Sequence, residues 1–574
     1  MYRRLLQLLI PLAVLSGVLI TMAAETPQAD QRTAAKKLFD QGNWRDAYGI
    51  YSELALSSQN AGQPLADDFQ QAITCLRNLQ RGKEVDAFRE QVIDRHAEDW
   101  RLLSAAARTL QYGDHYGFIV AGEFRRGDQR GGGEYANSIE RDRTRAMQLM
   151  RQAQPIVEGD DLTTNDQGNF YRQFATTVEF QRNGNQAWQL QDLTDLDTLP
   201  DYEKGYSYGG GENKGAPVDS EGRPIYHTVP ESYEAATSDG QRWRWCLTRM
   251  GQLTPALQAE ADLTFADFQQ SQFGVQTMRQ WGIILPRADQ GDGDMDESGP
   301  YALHTLGEDE TIARLANGVK RFTMPDEFNP VRIYQQLAAG ESGYAERSHA
   351  ALAQIFEDRQ QYPRAAEWWR KSIQRFKDDQ SKSKQARLDQ IIGNWGTFEQ
   401  VQTQAAGSGA TVEFRFRNAR QATFTAQAIN VDQLLADVKS YLKSNPKQLD
   451  WNQLQIDNLG YRLVEQNERK YLGAQVADWS LDLEPRPEHF DRRITVTTPL
   501  QKAGAYLVTG KLQDGNTSRV ILWLDDTAIV KKQLNGQLLY YVGDASTGKP
   551  VGKANVEFFG WRQERLPDTK NRFR

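Results

Sequence analysis

The sequence predicts a multidomain protein in which an α-helical region comes first and β-sandwich domains follow. Three observations lead to this prediction. The chain has 574 residues, which is enough for about three or four domains. From about residue 31 to residue 390 the sequence is rich in Ala, Gln, Leu and Arg, with recurring helix start and stop signals. After residue 391 it changes to short segments of alternating polarity, which are typical of β-strands.

The composition argues for folded cores and against nucleic-acid binding. Hydrophobic residues make up 39% of the chain and aromatic residues 10%, which is too much for a disordered chain. With 68 basic and 76 acidic residues, the formal net charge is -8. A mildly acidic chain lacks the positive surface of a general nucleic-acid binder. We therefore expect no nucleic-acid partner.

The cysteine and histidine content points away from metalloenzymes and towards binding or architecture. Two cysteines, Cys75 and Cys246, cannot supply a disulfide framework or an iron–sulfur site. They either pair in an oxidising compartment or stay as two separate buried thiols. The six histidines are scattered, with no two one helical turn apart. No nucleophile elbow or paired carboxylates stand out, so we assign no catalytic, cofactor-binding or metal-binding residue.

The N-terminus predicts export. Two arginines precede an apolar run from Leu5 to Ile20, and small residues allow cleavage after Ala23 or Ala24. This pattern is a signal peptide over residues 1–24, with an uncleaved signal anchor as the alternative. No cysteine follows that would make a lipoprotein. The expected location is the periplasm or the extracellular space, with membrane contact only through an uncleaved signal segment.

Residues 27–390 are expected to form an α-helical domain with long loop insertions. A similar spacing of small and bulky residues occurs at Ala35, Leu38, Gly42, Trp44, Ala47 and Tyr51 and again at Ala353, Phe356, Gln360, Tyr362, Ala365 and Trp369. Weaker copies occur at Ala175, Val178 and Ala187 and at Ala146, Met150 and Ala153. Small residues let two helices approach while aromatic residues fill the groove between them. The spacing resembles the tetratricopeptide repeat, and an irregular helical domain is the alternative. Loops are expected at Gly127–Gly133, Tyr206–Pro230 and Asp289–Pro300.

Residues 391–525 are expected to form a β-sandwich of about seven strands, the number in an immunoglobulin-like fold. The predicted strands are Thr397–Gln402, Val412–Phe416, Thr423–Ala426, Ala477–Leu483, Ile494–Thr497, Ala505–Leu512 and Ser518–Leu524. Within this domain Val431–Leu442 has helical apolar spacing, which predicts a helical insertion over residues 431–471.

Residues 526–574 are expected to begin a second β-sandwich. Strands are predicted at Ala528–Val530, Leu538–Val542 and Ala554–Phe559, with a turn at Asp544–Pro550. Val551 and Val556 are expected to enter its core. Because such a domain needs about 100 residues, this segment is half of one. The prediction is that the chain is the N-terminal part of a longer protein.

The turn carries a family resemblance. Asp544–Val551, which reads Asp-Ala-Ser-Thr-Gly-Lys-Pro-Val, followed by Ala554–Phe558, resembles the strand–turn–strand of alpha-2-macroglobulin family domains. Thr498–Leu500 and Gly504–Val508 resemble the closing strands of the preceding domain of that family. The helical segment 113–290 is similar to the N-terminal extension of large exported bacterial homologues of the planctomycete type. The resemblance covers about residues 395–574, and more weakly the helical part.

The resemblance implies macroglobulin-like domains and a broad-range endopeptidase inhibitor. In that family a protease cuts a bait segment, the domains close around it, and in many members a thioester tethers it. A thioester needs cysteine followed by Gly/Leu-Glu-Gln, and neither Cys75 nor Cys246 is followed by that sequence. The trapping residues are therefore expected outside this chain, and endopeptidases are the expected partners. The alternative is an exported helical-repeat scaffold that binds proteins or cell-envelope polymer and inhibits nothing.

Several local patterns have competing interpretations. Gly543–Pro550 approaches a phosphate-binding loop, but Pro550 replaces the required hydroxyl residue and a strand is expected to follow, so we predict a turn. The acidic segment 292–297 is expected to be a solvated loop rather than a calcium site. Trp243 and Trp245 are expected in helix packing, with a sugar-stacking platform as the alternative. The glycine runs 131–133 and 209–211 are expected in loops, and so is Arg126-Gly127-Asp128, which spells an adhesion tripeptide.

Overall fold

The computed structural model describes residues 27–128, 131–159, 164–205, 214–281, 301–444, 450, 459–464 and 469–558. Over these ranges the chain is largely helical first and β afterwards, as the sequence predicts. The predicted signal peptide, residues 1–24, lies outside the described ranges. Within them, no helix is both long enough and apolar enough to cross a membrane.

The chain divides into two compact units. The first comprises Met1–Ile283 and Gly307–Ser348, and the second comprises Ile284–Leu306 and His349–Arg574. The second unit therefore contains helices as well as strands. The predicted boundary between residues 390 and 391 stays a prediction.

The helices that precede the β region end at Ile392. They are α1 (Pro27–Asp40), α2 (Trp44–Leu56), α3 (Gly62–Asn78), α4 (Val85–Arg95), α5 (Trp100–Gln111), α6 (Ile139–Gly159), α7 (Thr164–Glu179), α8 (Asp239–Leu253), α9 (Gln258–Phe273), α10 (Pro330–Ala339), α11 (Ala345–Asp358), α12 (Tyr362–Phe376) and α13 (Ser383–Ile392). Side-chain caps satisfy the first free N–H groups of several of them. At α5, for example, Asp99 accepts hydrogen bonds from the backbone N–H groups of Arg101 and Leu102.

Both helix pairs expected from the spacing pattern are present. Ala35 on α1 and Ala47 on α2 have no solvent exposure, so small residues allow this pair to approach closely. In the second pair, α11 and α12, Trp369 Nε1 donates a 2.7 Å hydrogen bond to Glu357, while Ala353 and Ala365 are fully buried. The residues that define the pattern are thus packing residues. Their assignment to the tetratricopeptide class stays a prediction.

The expected loop at Gly127–Gly133 is confirmed for its described residues, and it joins two strands of a small β-sheet that the sequence did not predict. Its strands are β1 (Tyr116–Val120), β2 (Glu123–Arg126), β3 (Glu134–Asn137) and β4 (Glu203–Lys204), in the order β2-β1-β3-β4. A two-residue turn joins β1 to β2, and both Ala121 (φ 52°) and Gly122 (φ 87°) are left-handed there. This is the backbone that a tight hairpin needs. The strands have at most five residues, which is too few for the alternation to stand out.

A second short hairpin also interrupts the helical region. It consists of β5 (Glu310–Leu315) and β6 (Gly318–Thr323), which pair antiparallel around Ala316 and Asn317. Ile312 and Ala313 on β5 are fully buried. The sequence predicted neither of these hairpins within the mostly helical residues 27–390.

The β region contains two sheets that share one core. The strands are β7 (Trp395–Phe398), β8 (Gln404–Ala405), β9 (Thr411–Arg417), β10 (Gln421–Ile429), β11 (Leu472–Asp482), β12 (Arg492–Thr497), β13 (Gly504–Leu512) and β14 (Thr517–Asp525). One sheet has the order β11-β10-β13-β14-β8 and the other β12-β9-β7. The ring of Phe414 on β9 lies 5.1 Å from that of Phe398 on β7 and 5.3 Å from that of Phe424 on β10. Alternating residues of both sheets therefore bury against each other.

The helical insertion covers the opposite face of the larger sheet. It contains α14 (Val431–Lys443) and α15 (Leu459–Val464). Leu434 and Leu459 are buried in a second cluster with Leu507, which lies on β13. The larger sheet thus has apolar cover on both faces, which accounts for a helix of strong apolar periodicity inside a β domain.

After residue 525 the described chain forms one hairpin. Strand β15 (Thr527–Leu534) pairs with β16 (Gln537–Asp544) in full antiparallel register. The predicted strand at Ala554–Phe559 is wrong for residues 554–558, which form no strand. Val551 is 40% exposed, so its predicted burial is also wrong. In the described part of this region no second layer exists for Val551 to enter.

Candidate functional site

The turn that follows β16 is a preformed and exposed loop. Asp544 organises it: its Oδ1 accepts hydrogen bonds from the N–H groups of Ser546 (3.1 Å) and Thr547 (2.7 Å) and from Thr547 Oγ1 (2.8 Å). The backbone N–H of Gly548 donates to Asp544 O at 2.9 Å. Gly548 has φ +69° and open space around it. Glycine takes this left-handed conformation without steric cost.

The same hydrogen bonds exclude phosphate binding at this loop. A phosphate loop offers free backbone N–H groups at the start of a helix. Here the carboxylate of Asp544 accepts hydrogen bonds from the backbone N–H groups of Ser546 and Thr547. The hydrogen bonds from Thr547 lower the pKa of Asp544. Residues 551–558, which follow, are not helical. The interpretation of this segment as a turn is confirmed.

A buried ionic cluster fastens the small sheet to α6. Arg126 on β2 binds the carboxylate of Asp142 on α6 through two nitrogens, at 2.7 and 2.9 Å, and its Nε lies 3.0 Å from both carboxylate oxygens of Asp86. Burial raises the pKa of Asp142, but hydrogen bonds from His115 and Arg126 outweigh it and hold the pKa at about 2. Arg126 is buried and engaged, so it is not available as part of an adhesion tripeptide.

The cluster also brings a serine, a histidine and an aspartate together, which sequence spacing did not reveal. The hydrogen bonds among these three residues are not those of a hydrolase. Ser138 Oγ donates to Asp142 at 2.6 Å, and His115 Nδ1 lies 2.9 Å from the same carboxylate. His115 Nε2 faces Gln111 O at 3.1 Å. In a catalytic triad the serine hydroxyl is hydrogen-bonded to the histidine. Here the serine and the histidine both bind the aspartate instead. The cluster is structural.

A second buried ion pair joins three helices. Arg143 on α6 donates to Asp239 on α8 at 2.8 Å and to Val178 O near the end of α7 at 2.6 Å. Arg242 adds a 3.1 Å hydrogen bond to Asp239. Burial raises the pKa of Asp239, but the charge of Arg143 outweighs it, so the pKa is lowered. No local pattern could have predicted this pair, because 96 residues separate its members.

The remaining predicted candidates are packing residues. Trp243 and Trp245 are 0% and 8% exposed, so helix packing is confirmed and the sugar-stacking alternative is wrong. Cys75 and Cys246 are separate buried thiols, and burial raises the pKa of Cys75 to about 11. No group of three or more potential metal ligands occurs among the described side chains. The acidic segment 292–297 and the glycine run 209–211 lie outside the described residues.

The chain belongs to the class of proteins in which a helical region is followed by β-sheets, and it has an exposed turn after β16. Parts of the chain are similar to two solved structures of native alpha-2-macroglobulin from Escherichia coli. The structure spanning domains MG0-NIE-MG1 has a TM-score of 0.20 and 13% identity, and the match covers 28% of this chain and 47% of that chain. The structure spanning NIE-MG1 has a TM-score of 0.18 and 15% identity, and covers 28% and 74%.

This likeness is coarse. The match spans less than half of the first of those chains, and at these TM-scores it carries no argument about activity. No family model matches the chain, and no curated protein matches it.

Proposed function

We propose that this chain is part of an exported, alpha-2-macroglobulin-like inhibitor of endopeptidases, in which it is not an enzyme. The observation that carries the proposal is the Asp544–Val551 turn. Its residues give the family resemblance, and its geometry explains why those residues are needed. Asp544 fixes the loop, Gly548 supplies the left-handed φ, and the N–H of Val551 returns to Val542 O at 2.9 Å.

The hairpin that carries this turn supports the proposal that residues 526–574 begin a second macroglobulin-like β-sandwich. Adjacent residues of a strand point to opposite faces. Ile529 and Val530 are 58% and 60% exposed, and Leu538 and Leu539 are 49% and 52% exposed. Each face of the hairpin therefore exposes large apolar residues, with Lys531 on one face and Lys532 on the other. Exposed apolar residues on both faces favour cover by further parts of the protein.

We place residues 391–525 in the same scheme as the preceding macroglobulin-like β-sandwich, with residues 431–471 as its insertion. Support comes from the two sheets that share the Phe398–Phe414–Phe424 core. Export, through a signal peptide over residues 1–24, is part of the proposal. The trapping residues would lie outside these domains, since neither cysteine has the thioester sequence.

The test is protease capture by the full-length protein. It is incubated with endopeptidases of different specificities, and each mixture is assayed on a protein substrate and on a short peptide substrate. We expect cleavage of the protein substrate to fall more than cleavage of the peptide, with the protease co-eluting with the inhibitor. Active-site-blocked proteases are the control, and they should not be captured. If no endopeptidase is bound or shielded, the proposal is wrong.

A second candidate function is an exported scaffold that binds proteins or cell-envelope polymer through the helical region. The helix pairs α1–α2 and α11–α12 favour it, because paired helices with small buried residues are the units of repeat scaffolds. The same experiment separates the two functions. A scaffold would bind an active and a blocked protease equally, whereas capture by a trap requires cleavage.

A further inference from the structure

The loop between β11 and β12 is strained. Residues 486–491, here called the strap, contain Glu488 with φ 58° and ψ 23° and His489 with φ 64°. Two consecutive left-handed residues that are not glycine are uncommon, and each has a conformational cost. Such a backbone persists only where its surroundings hold it in place.

Contacts on both sides of the strap hold it. Phe490 is 7% exposed, and its ring lies 5.5 Å from that of Tyr362, the first residue of α12. His489 Nδ1 lies 2.8 Å from Asn418 Oδ1, just beyond β9. The amide nitrogen of Asn418 donates to Ile391 O and Gly393 O at the end of α13. The strap thus contacts α12 directly, and through Asn418 it is linked to the β region and to the end of α13.

The histidine is sensitive to two positive charges. Burial lowers the pKa of His489 most, and the charges of Arg417 on β9 and Arg370 on α12 lower it further. Arg417 Nε donates to Asp491 Oδ1 at 2.7 Å, so the carboxylate of Asp491 is already engaged. The strap's other charged groups are Glu488 and Arg486, and the ring of His304 packs on Phe490.

We propose that the strap is a strained latch that fastens α12 to the β region, and that protonation of His489 releases it. The Asn418 amide nitrogen donates two hydrogen bonds to other groups, so the Asn418 side-chain oxygen is the acceptor in the hydrogen bond with His489. His489 Nδ1 is therefore protonated and donates that hydrogen bond. A second proton therefore goes to Nε2 and adds a third cation beside Arg417 and Arg370. The repulsion favours the open strap, where the ring is hydrated and the backbone strain is relieved. The inference does not depend on the proposed inhibitor function.

The test is hydrogen exchange of the strap amides in the full chain at pH 7.5 and pH 5.0, corrected for intrinsic exchange. Because the pKa of His489 is lower in the closed strap than in the open one, opening becomes more favourable as the pH falls. We therefore expect strap protection in the wild type to be lower at pH 5.0 than at pH 7.5. His489→Gln, which can still donate to Asn418, should remove this pH dependence, and Arg370→Gln should reduce it.

Two further variants make the test decisive. His96→Gln removes a half-buried histidine far along the chain and should leave the strap unchanged. Glu488→Gly removes the conformational cost of a left-handed residue, so strap exchange at pH 7.5 should become slower. Equal strap protection at both pH values in the wild type would overturn the proposal, as would a wild-type pH response in His489→Gln.

Discussion

Arg143 and Asp239 form an ion pair of 2.8 Å in which both side chains are shielded from solvent, with exposures of 0% and 1%. The guanidinium also donates to Phe180 O at 3.1 Å and to Thr194 Oγ1 at 2.8 Å. Every nitrogen of the buried cation therefore has an acceptor. A buried charge is tolerated only when it is paired and hydrogen-bonded in this way.

Removing one partner of this pair should destabilise the protein strongly. Asp239→Ala leaves Arg143 buried without its counter-charge, and we expect a loss of about 3–5 kcal/mol in the free energy of unfolding. Urea unfolding followed by tryptophan fluorescence measures it. Lys36→Ala is the matched control, because its pair with Asp40 is 72% and 57% exposed and should be worth less than about 1 kcal/mol. Equal losses in the two variants would contradict the argument.

Two helical glycines should respond in opposite directions to alanine. A Cβ at Gly168 on α7 would lie 2.5 Å from Thr254 Cβ, whereas one at Gly49 on α2 would meet nothing within 4 Å. We expect Gly168→Ala to lower the free energy of unfolding by roughly 1–3 kcal/mol through overpacking. Gly49→Ala should raise it by roughly 0.5–1 kcal/mol through helix propensity. Thermal melts of both variants check the sign; stabilisation by Gly168→Ala would show that α7 and Thr254 are not in close contact.

The free energy of unfolding should decrease at acidic pH because of the buried side chain of His227. The ring is 4% exposed, and burial, helped by the charge of Arg244, lowers the pKa of His227 to about 4. Between this value and the unfolded pKa of about 6.5, the unfolded chain binds more protons than the native one. The contribution of His227 is therefore complete above pH 6.5 and is lost as the pH falls to about 4.

The variant His227→Phe tests this pH dependence. It keeps a planar ring beside Phe268, whose centroid is 5.8 Å away, and cannot take up a proton. We expect its melting temperature to fall less between pH 7 and pH 4 than that of the wild type, by the equivalent of about 3 kcal/mol. Parallel pH profiles for the two proteins would rule out a role for His227.

The conformation of the exposed turn should depend on Gly548 and not on Gly552. At both positions an added Cβ would have no atom within 4 Å, but only Gly548 has a left-handed φ, of +69°. Gly548→Ala should therefore cost about 1 kcal/mol of local stability, and Gly552→Ala should cost less. Hydrogen exchange at the backbone amides of positions 548 and 551 measures the difference. An equal effect of the two substitutions would mean that the turn is not held in this geometry.

Both thiols should be unreactive in the native protein. Cys75 and Cys246 are each 0% exposed, and burial raises the pKa of both. Because the thiolate is the reactive form, we expect no labelling by a thiol reagent at pH 8 and labelling of two thiols after denaturation. Ser58→Cys, at an exposed position, should react at once and serves as the positive control. Rapid native labelling of the wild type would contradict the burial.

Local pattern was sufficient for much of the fold. The order of helical and β regions, the helix Val431–Lys443 and the turn after Asp544 follow from spacing over a few residues, because helices, strands and tight turns are stabilised by neighbouring residues. Short strands escaped this reasoning. Tyr116–Val120 pairs only because Ala121 and Gly122 reverse the chain, and five residues are too few to show a period.

The buried charges depended on the tertiary structure. Asp239 and Arg143 are 96 residues apart, and Asp142 joins Arg126 and His115 only after the small sheet docks on α6. Nothing in the local sequence distinguishes these side chains from solvated ones. The desolvation cost of the buried charges and the ion pairs that offset it arise together when the chain packs. No Ser/His/Asp motif is visible in the sequence, yet Ser138, His115 and Asp142 do meet, and only the direction of their hydrogen bonds shows that they hold the fold together.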